Sequence, residues 1–169
     1  MGKRSNFKRK PRDNYRTPLE ALLPMLPHLG FRVRFDEPCS GDGALVEYLK
    51  DAGHHCVNSS DICRGQDAMD ITGTPAEMFI TNPPWAWYVL DPLITHLSGM
   101  RPTFLLLNAD LMHNKRMGRH MKRCSKVVSV GRIKWIEGSK STGMENCVWM
   151  LFEDREVRTV FYGRGANLK

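Results

Sequence analysis

Residues 31–45 read FRVRFDEPCSGDGAL and contain a strand, a tight turn and the start of a helix. The first seven residues alternate apolar and polar side chains, which is the period of a β-strand with one buried face. Gly41 and Gly43 then suit a tight turn, and apolar side chains at helical spacing follow over residues 44–52. A strand that turns directly into a helix is the repeating unit of an α/β sheet.

The same alternation of strands and helices continues along the chain. Before the first strand, Thr17, Pro18 and Glu20 form the pattern of a helix N-cap, first helical position and capping box. The pattern predicts a doubly wound, mostly parallel α/β sheet in a single domain. Further strands are predicted over residues 55–62, 68–71, 78–81, 103–108, 126–133 and 147–152, and helices over residues 14–29, 89–97 and 111–124.

Positive charge is concentrated in two stretches of the chain. The formal net charge is +7, and residues 1–16 hold seven Lys or Arg residues against a single acid. Basic segments of this kind commonly contact polyanions, although a solvated tail is the alternative. We expect residues 1–12 to form a disordered basic arm and residues 13–169 to form one domain without a separate target-recognition domain. A second basic run, at residues 113–123, lacks any acid and favours phosphate contact over an ordinary solvated helix face only modestly.

Composition excludes several classes of protein. The five cysteines include no CxxC pair and no Cys/His cluster with zinc spacing, so we predict reduced thiols and no metal site. No apolar run reaches the roughly 18 residues that a membrane helix needs. The basic N-terminus also lacks the apolar segment of a secretory signal. These features predict a cytoplasmic protein that does not act at a membrane.

Polar and glycine-rich residues lie at the carboxyl ends of four predicted strands. They are residues 37–43, Asp61, Asp70 and residues 82–85. Ligands of α/β sheets bind at this edge. The first loop has no Gly-Lys-Ser/Thr ending and no third glycine at Val46, which disfavours a phosphate cradle. An acid at the second strand end commonly accepts ribose hydroxyls, which favours a nucleoside ligand without phosphates, such as S-adenosylmethionine.

These motifs resemble those of class I S-adenosylmethionine-dependent methyltransferases. EPCSGDGAL at residues 37–45, SSDI at 59–62 and ITNPPW at 80–85 are similar to the motifs of the amino-group methyltransferases. NYRTP at residues 14–18 resembles the N-terminal motif of phage-type adenine-N6 DNA methyltransferases, whose late loop and strand resemble residues 131–152. The similarity covers about residues 13–153.

The resemblance implies a role for each matching residue. Asp61 would bind the ribose and Asp70 the adenine of the cofactor. Residues implied to contact S-adenosylmethionine are Tyr15, Thr17, Pro18, Glu37, Cys39, Gly41, Gly43, Asp61 and Asp70. The implied catalytic tetrad is Asn82, Pro83, Pro84 and Trp85. Candidate nucleic-acid contacts are Lys8, Arg9, Lys10, Lys115, Arg116, Arg119 and Trp135.

The tetrad suits the chemistry of a weakly nucleophilic amine. The Asn82 side-chain oxygen and the Pro83 carbonyl can accept the two N–H bonds of an exocyclic amine, and neither proline offers a competing N–H. Trp85 offers a face for a flipped base, and such stacking is worth about 1–3 kcal/mol.

We therefore predict S-adenosylmethionine-dependent methylation of adenine N6 in DNA. The resemblance suggests a phage-encoded protein that acts in the cytoplasm of a bacterial host. Three alternatives stay open: methylation of an RNA base, methylation of a glutamine amide in a protein, and non-catalytic nucleic-acid binding on the same fold.

Overall fold

The computed structural model describes residues 15–136, 138 and 142–165. These residues form seven strands in one sheet, in the order β2-β1-β3-β4-β6-β5-β7. The strands are β1 (Arg34–Glu37), β2 (His55–Ser59), β3 (Met78–Thr81), β4 (Thr103–Asn108), β5 (Cys124–Arg132), β6 (Asn146–Phe152) and β7 (Val160–Tyr162). Strands β1 to β4 are parallel, whereas β6 runs antiparallel to both β4 and β5. The predicted α/β sheet is confirmed, and β4 and β5 end at the same edge as β1 and β3.

Both faces of the sheet are covered by helices. The helices are α1 (Leu19–Leu22), α2 (Ala44–Asp51), α3 (Trp87–Met100) and α4 (Gly118–Met121). Alternate side chains of β4 enter the two cores: Phe104 and Leu106 pack with α1 and α2, while Leu105 and Leu107 pack with α3. This burial on both faces explains why β4 is a continuous apolar run. Within the described ranges, no helix combines the length and apolar character needed to cross a bilayer.

The predicted strand at residues 68–71 is wrong. The chain there forms a 3-10 turn, Ala68–Asp70, that does not join the sheet. The Asp67 carboxylate accepts a hydrogen bond from the Met69 N–H at 2.9 Å and so closes the turn locally. Short side chains such as aspartate compete in this way with the sheet for backbone donors.

The predicted basic helix at residues 111–124 is broken into three pieces. Two 3-10 turns, Ala109–His113 and Lys115–Met117, precede the single turn of α4. Asn114 between them is extended, with φ −79° and ψ 129°. The basic side chains therefore project from separate turns and not from one helical face.

Pro24 and Pro27 predict that the helix at residues 14–29 is short or broken, and the structure confirms this. The helix is confined to α1 and a 3-10 turn, Leu26–His28, because Pro24 and Pro27 cannot supply the backbone donors of a continuous helix. Pro18 occupies the N-cap position, and no side chain caps the helix. Thr17 and Glu20, predicted to form the capping box, instead contact residues far away in the chain.

Helix α1 is anchored to the sheet through Trp149. This side chain is fully buried in β6, and its indole N–H donates to the Ala21 carbonyl at 2.7 Å. Glu20 adds a second anchor, since its carboxylate accepts from the Lys134 backbone N–H at 2.8 Å. A four-residue helix is too short to persist alone, so these contacts hold it in place.

Replacing Trp149 with phenylalanine tests this anchor. We expect Trp149→Phe to lower the free energy of unfolding by about 1–3 kcal/mol, because the Ala21 carbonyl loses its partner and a small cavity forms. Urea denaturation followed by circular dichroism measures the change. Phe161→Leu on the exposed edge strand β7 is the matched control, and an equally small effect of both substitutions would contradict the anchoring.

Candidate functional site

A cavity of about 360 Å³ opens at the carboxyl edge of the sheet, beside the ends of β1 and β3. Its walls come from the segment before α1, the loop after β1, the turns after β2, and the loop that joins β3 to α3. The volume falls within the range of pockets that bind small molecules and cofactors. The edge is the one at which the sequence predicts ligand binding.

The structure brings most of the predicted cofactor and catalytic residues to this cavity. Those in its walls are Tyr15, Thr17, Glu37, Cys39, Gly41, Asp61, Asn82 and Pro84. Pro18, Gly43, Asp70, Pro83 and Trp85 are neighbours in sequence that do not line it. Lys8, Arg9 and Lys10 lie outside the described residues. The roles assigned to all of these residues remain predictions.

The Asp61 carboxylate joins the ends of β1 and β2. One oxygen accepts from the Gly41 N–H at 2.8 Å and the other from the Cys63 N–H at 2.7 Å. Burial works against ionisation of Asp61, but these backbone donors, with the nearby Arg64 charge, hold its pKa below the usual range. Each carboxylate oxygen has a second lone pair, so Asp61 can still accept a hydroxyl from a ligand.

Arg64 fixes the glycine loop from the other side. Its guanidinium donates to the Ser40 hydroxyl at 2.6 Å and to the Gly41 carbonyl at 3.1 Å. Gly41 has φ 51°, a conformation that favours glycine. Sequence reasoning missed Arg64, because a single arginine in a turn carries no recognisable pattern.

Glu37 places a buried, unsatisfied carboxyl group in the cavity wall. The side chain is 2% exposed, and its Oε2 has no hydrogen-bond partner among the residues described. Burial raises the pKa of Glu37 to about 8, and the negative charges of Asp42 and Asp61 add to this effect. The carboxyl group is therefore mostly protonated at neutral pH, and a cationic ligand in the cavity would favour its ionisation.

Asp67 is better placed than Asp70 to meet a ligand in the cavity. Asp67, Ala68 and Met69 line it, whereas Asp70 is exposed and outside its walls. The difference follows from the 3-10 turn, which replaces the strand whose end Asp70 was expected to mark. Asp67 at the head of Asp-Ala-Met is a turn signal that the sequence analysis did not use.

Asn82 reaches the cavity with its side-chain amide already engaged. Its Nδ2 donates to the Thr17 hydroxyl at 3.1 Å, across 65 positions of sequence. An amide whose nitrogen is held in this way presents its oxygen on the opposite side. Asn82 and Pro84 both line the cavity, and Thr81 before them is fully buried at the end of β3.

Tyr15, Trp85 and Trp135 form an aromatic cluster beside the tetrad. The Trp85 and Trp135 ring centroids lie 5.8 Å apart at 78°, and those of Trp135 and Tyr15 lie 6.2 Å apart. The Trp85 indole N–H donates to the Leu106 carbonyl at 2.9 Å, so this ring is tied to β4. Tyr88, which lines the cavity and is 83% exposed, is a further aromatic side chain that sequence reasoning missed.

The basic residues after β4 differ in how much of their charge is available. Arg119 forms an ion pair with Asp91, whose carboxylate also contacts the buried His120. Lys115 and Arg116 are exposed, and the Arg116 guanidinium stacks over Trp87 at 4.5 Å from the ring centroid. Lys115 and Arg116 therefore offer more positive charge to a ligand than Arg119 does.

The described part of the chain has neither a metal-binding cluster nor a disulfide bond. No group of three or more His, Cys, Asp or Glu residues there could hold a metal ion. The cysteines are all free thiols. Burial raises the pKa of the Cys39 thiol, in the cavity wall, to about 12, so it is protonated and a poor nucleophile.

Comparison with known proteins identifies the architecture. No family model and no curated protein sequence matches the chain. A solved structure from Pyrococcus horikoshii, described as an RNA methyltransferase, aligns with TM-score 0.55 and 14% identity over 83% of this chain and 86% of that one. A Listeria monocytogenes protein described as a class I S-adenosylmethionine-dependent methyltransferase aligns with TM-score 0.50 and 9% identity over 86% and 62%. A chain of the E. cuniculi complex responsible for methylation of the termination factor eRF1 aligns with TM-score 0.52 and 12% identity over 83% of this chain and 98% of that one.

At these identities the likeness defines the fold. The chain has the seven-stranded, Rossmann-like fold of the class I methyltransferases in a single domain. The aligned proteins have different descriptions, so the choice of substrate has to be argued from the residues of this chain.

The state of Glu37 gives a testable pH dependence. Because its pKa rises from 4.5 to about 8 on folding, the folded protein holds a proton in this window that the unfolded chain releases. The contribution to stability is fully present below pH 4.5 and is lost as the pH rises through 8. Glu37→Gln removes this dependence. The melting temperature of the variant minus that of the wild type should therefore increase from pH 5 to pH 8.5.

The difference between the two proteins isolates Glu37, because every other titrating group is common to both. Glu47→Gln, on the exposed side of α2, is the matched control for removal of a carboxyl group. A difference between Glu37→Gln and the wild type that stays constant with pH would contradict the raised pKa of Glu37.

Proposed function

We propose that the protein is an S-adenosylmethionine-dependent methyltransferase that methylates the exocyclic N6 of adenine in DNA. The observation that carries this proposal is the Asn82 amide, fixed by Thr17 at the wall of the cavity with its oxygen left to accept. The fold, the cavity and the Asn-Pro-Pro-Trp corner meet at one edge of the sheet.

The cavity wall has the groups that S-adenosylmethionine would need. The Glu37 carboxyl group suits an ammonium, and Asp61 suits ribose hydroxyls. Ile62 and Met69 are 44% and 42% exposed and give the cavity an apolar wall for an adenine ring. When bound, S-adenosylmethionine supplies a methyl group on a sulfonium, which is the electrophile of the reaction.

The tetrad then acts on the amine and needs no nucleophilic side chain. With S-adenosylmethionine bound, the Asn82 oxygen and the Pro83 carbonyl would accept the two N–H bonds of the adenine amine and direct the nitrogen lone pair toward the methyl group. The new N–C bond would replace the methyl–sulfur bond, the neutral thioether would leave, and the nitrogen would lose one proton to solvent. Pro83 and Pro84 keep the corner rigid and offer no N–H donors of their own. Much of the rate therefore comes from positioning.

The charge of the rim favours nucleic acid over protein as substrate. Lys115 and Arg116 follow β4, and Arg132 and Lys134 lie at the end of β5, at the edge of the sheet where β3 also ends. Exposed lysine and arginine side chains bind a phosphate backbone by releasing its counterions. A target base must be flipped out of a duplex to reach Asn82, and the aromatic cluster and Tyr88 offer faces on which it can stack.

DNA is favoured over RNA by the likeness of NYRTP at residues 14–18 to the DNA enzymes. The proposed reading of bases is short-range, because no separate recognition domain is expected in residues 13–169. RNA is the second candidate, on the likeness to the P. horikoshii protein.

Transfer of tritiated methyl tests the substrate class. The protein is incubated with labelled S-adenosylmethionine and either DNA, RNA or a protein extract, and the labelled product is identified by digestion and chromatography. We expect label in N6-methyladenine from DNA. Label in an RNA base would favour the second candidate, and label in glutamine would overturn the nucleic-acid assignment.

Asn82→Ala tests the catalytic role of the tetrad. We expect kcat to fall by about 10²–10³-fold, as for loss of one oriented polar group in other active sites. The affinity for S-adenosylmethionine, measured by calorimetry, should change little. Asn58→Ala on the exposed edge of β2 is the matched control, and an Asn82→Ala variant with full activity would exclude the assigned role.

Salt dependence tests the basic surface. Lys115→Gln with Arg116→Gln should weaken DNA binding for all sequences and reduce the slope of log K against log salt by about two, since each lost phosphate contact contributes about 0.9. Fluorescence anisotropy at several salt concentrations gives the slope. Lys50→Gln, in the last turn of α2 away from the rim, should leave it unchanged. A slope unaffected by the double substitution would place the DNA elsewhere.

A further inference from the structure

We infer that Thr17 is a positioning residue, whose hydroxyl group sets the orientation of the Asn82 amide for methyl transfer. This inference rests on the proposed function and goes beyond it, since the resemblance assigns Thr17 only a cofactor contact. The observation is the hydrogen bond from Asn82 Nδ2 to Thr17 Oγ1 at 3.1 Å.

The Thr17 hydroxyl is available for Asn82 because it caps no helix. A threonine before a proline-started helix normally satisfies a backbone N–H of the first turn. Here Pro18 is the N-cap and no side chain caps α1. Thr17 is 6% exposed and lines the cavity, so its hydroxyl lies buried beside the tetrad.

The position of Thr17 is fixed on both sides. Before it, the Arg16 guanidinium pairs with Asp42 at 2.9 Å on the loop after β1. After it, α1 is tied to the sheet by the contacts of Glu20 and Ala21. The Arg16 pair is half-exposed and contributes little energy alone, so the buried anchors of α1 matter most.

The orientation of Asn82 matters because the two ends of an amide act oppositely on an amine. The oxygen accepts an N–H bond of the adenine amine, whereas the NH₂ group would place its own hydrogens against the hydrogens of that amine. The terminal torsion of asparagine is broad and does not choose between these states by itself. In the structure the nitrogen donates to the Thr17 hydroxyl, which leaves the oxygen as the end of the amide that can accept from the amine.

Two substitutions at Thr17 separate this role from a merely structural one. Thr17→Val keeps the shape and removes the hydroxyl, whereas Thr17→Ser keeps the hydroxyl. We expect Thr17→Val to lower kcat about 10- to 100-fold, with KM for DNA and Kd for S-adenosylmethionine within about threefold of the wild type. Thr17→Ser should restore kcat to within about threefold. Thr95→Val, on the exposed surface of α3, is the matched control and should leave kcat, KM and Kd unchanged.

The same substitution in a second background gives the sharpest readout. In an Asn82→Ala protein, Thr17→Val should cause no further loss of kcat, because a residue that acts through Asn82 has nothing left to orient. A further loss, or a Thr17→Val variant that mainly raises Kd for S-adenosylmethionine, would overturn the inference and make Thr17 a direct cofactor contact.

A measurement without turnover distinguishes failure of this inference from failure of the proposed function. In protein labelled with ¹⁵N-asparagine, the Asn82 side-chain signal is assigned by its loss in Asn82→Ala. Its NH₂ hydrogens should be protected from exchange in the wild type and in Thr17→Ser, and exposed in Thr17→Val. Lack of protection in the wild type overturns the inference. Protection in a protein that transfers no methyl to any substrate shows that the bond exists but that the proposed function is wrong.

Discussion

The site depends first on the Asp61 carboxylate, which binds the ends of two parallel strands to each other. It accepts N–H bonds from Gly41 after β1 and Cys63 after β2, at 2.8 and 2.7 Å. Arg64 and the two hydrogen bonds from Ser40 to the Ser60 carbonyl also hold the glycine loop. Charge-assisted bonds to backbone N–H groups are stronger than neutral ones, which suits a contact that must hold an open rim in shape. This contact therefore shapes one wall of the cavity, opposite Asn82 in the loop after β3.

The rim divides into two electrostatic halves. Asp61 and Asp67 line the cavity on the side of β1 and β2, together with Glu37, which a cation would ionise, and Asp42, which pairs with Arg16. On the side of β4 and β5 the exposed charges are mainly lysine and arginine, with Asp91 neutralising Arg119. In the proposed function, the cationic cofactor would bind on the first side and the nucleic acid on the second. The fold alone would not separate the two ligands in this way.

The sequence allowed prediction of what depends on pattern. The apolar run of β4, the glycine turn after β1 and the proline corner after β3 each have one structural solution, and the structure contains all three. Asn82, Glu37 and Asp61 could be placed at one edge because parallel strands end together.

The mistakes arose where a side chain had two possible partners. Thr17 and Glu20 fit a capping box, yet their partners are Asn82 and the Lys134 N–H, contacts that only the tertiary structure defines. Asp67 closed a local turn where a strand was expected, and Asn114 interrupted the predicted basic helix. Arg64 and Tyr88 carry no signal in sequence, because their value depends on which cavity the fold places beside them.

The dependence of α1 on β6 has a consequence for how the protein is made. Ribosomal synthesis delivers the residues of α1 before their anchors, since Lys134 and Trp149 emerge more than a hundred residues later. A four-residue helix does not keep its final conformation before these contacts form, since so short a segment is unstable in water. The wall that carries Thr17 is thus translated well before the contacts that fix it, and a nascent chain that lacks β6 has no assembled centre.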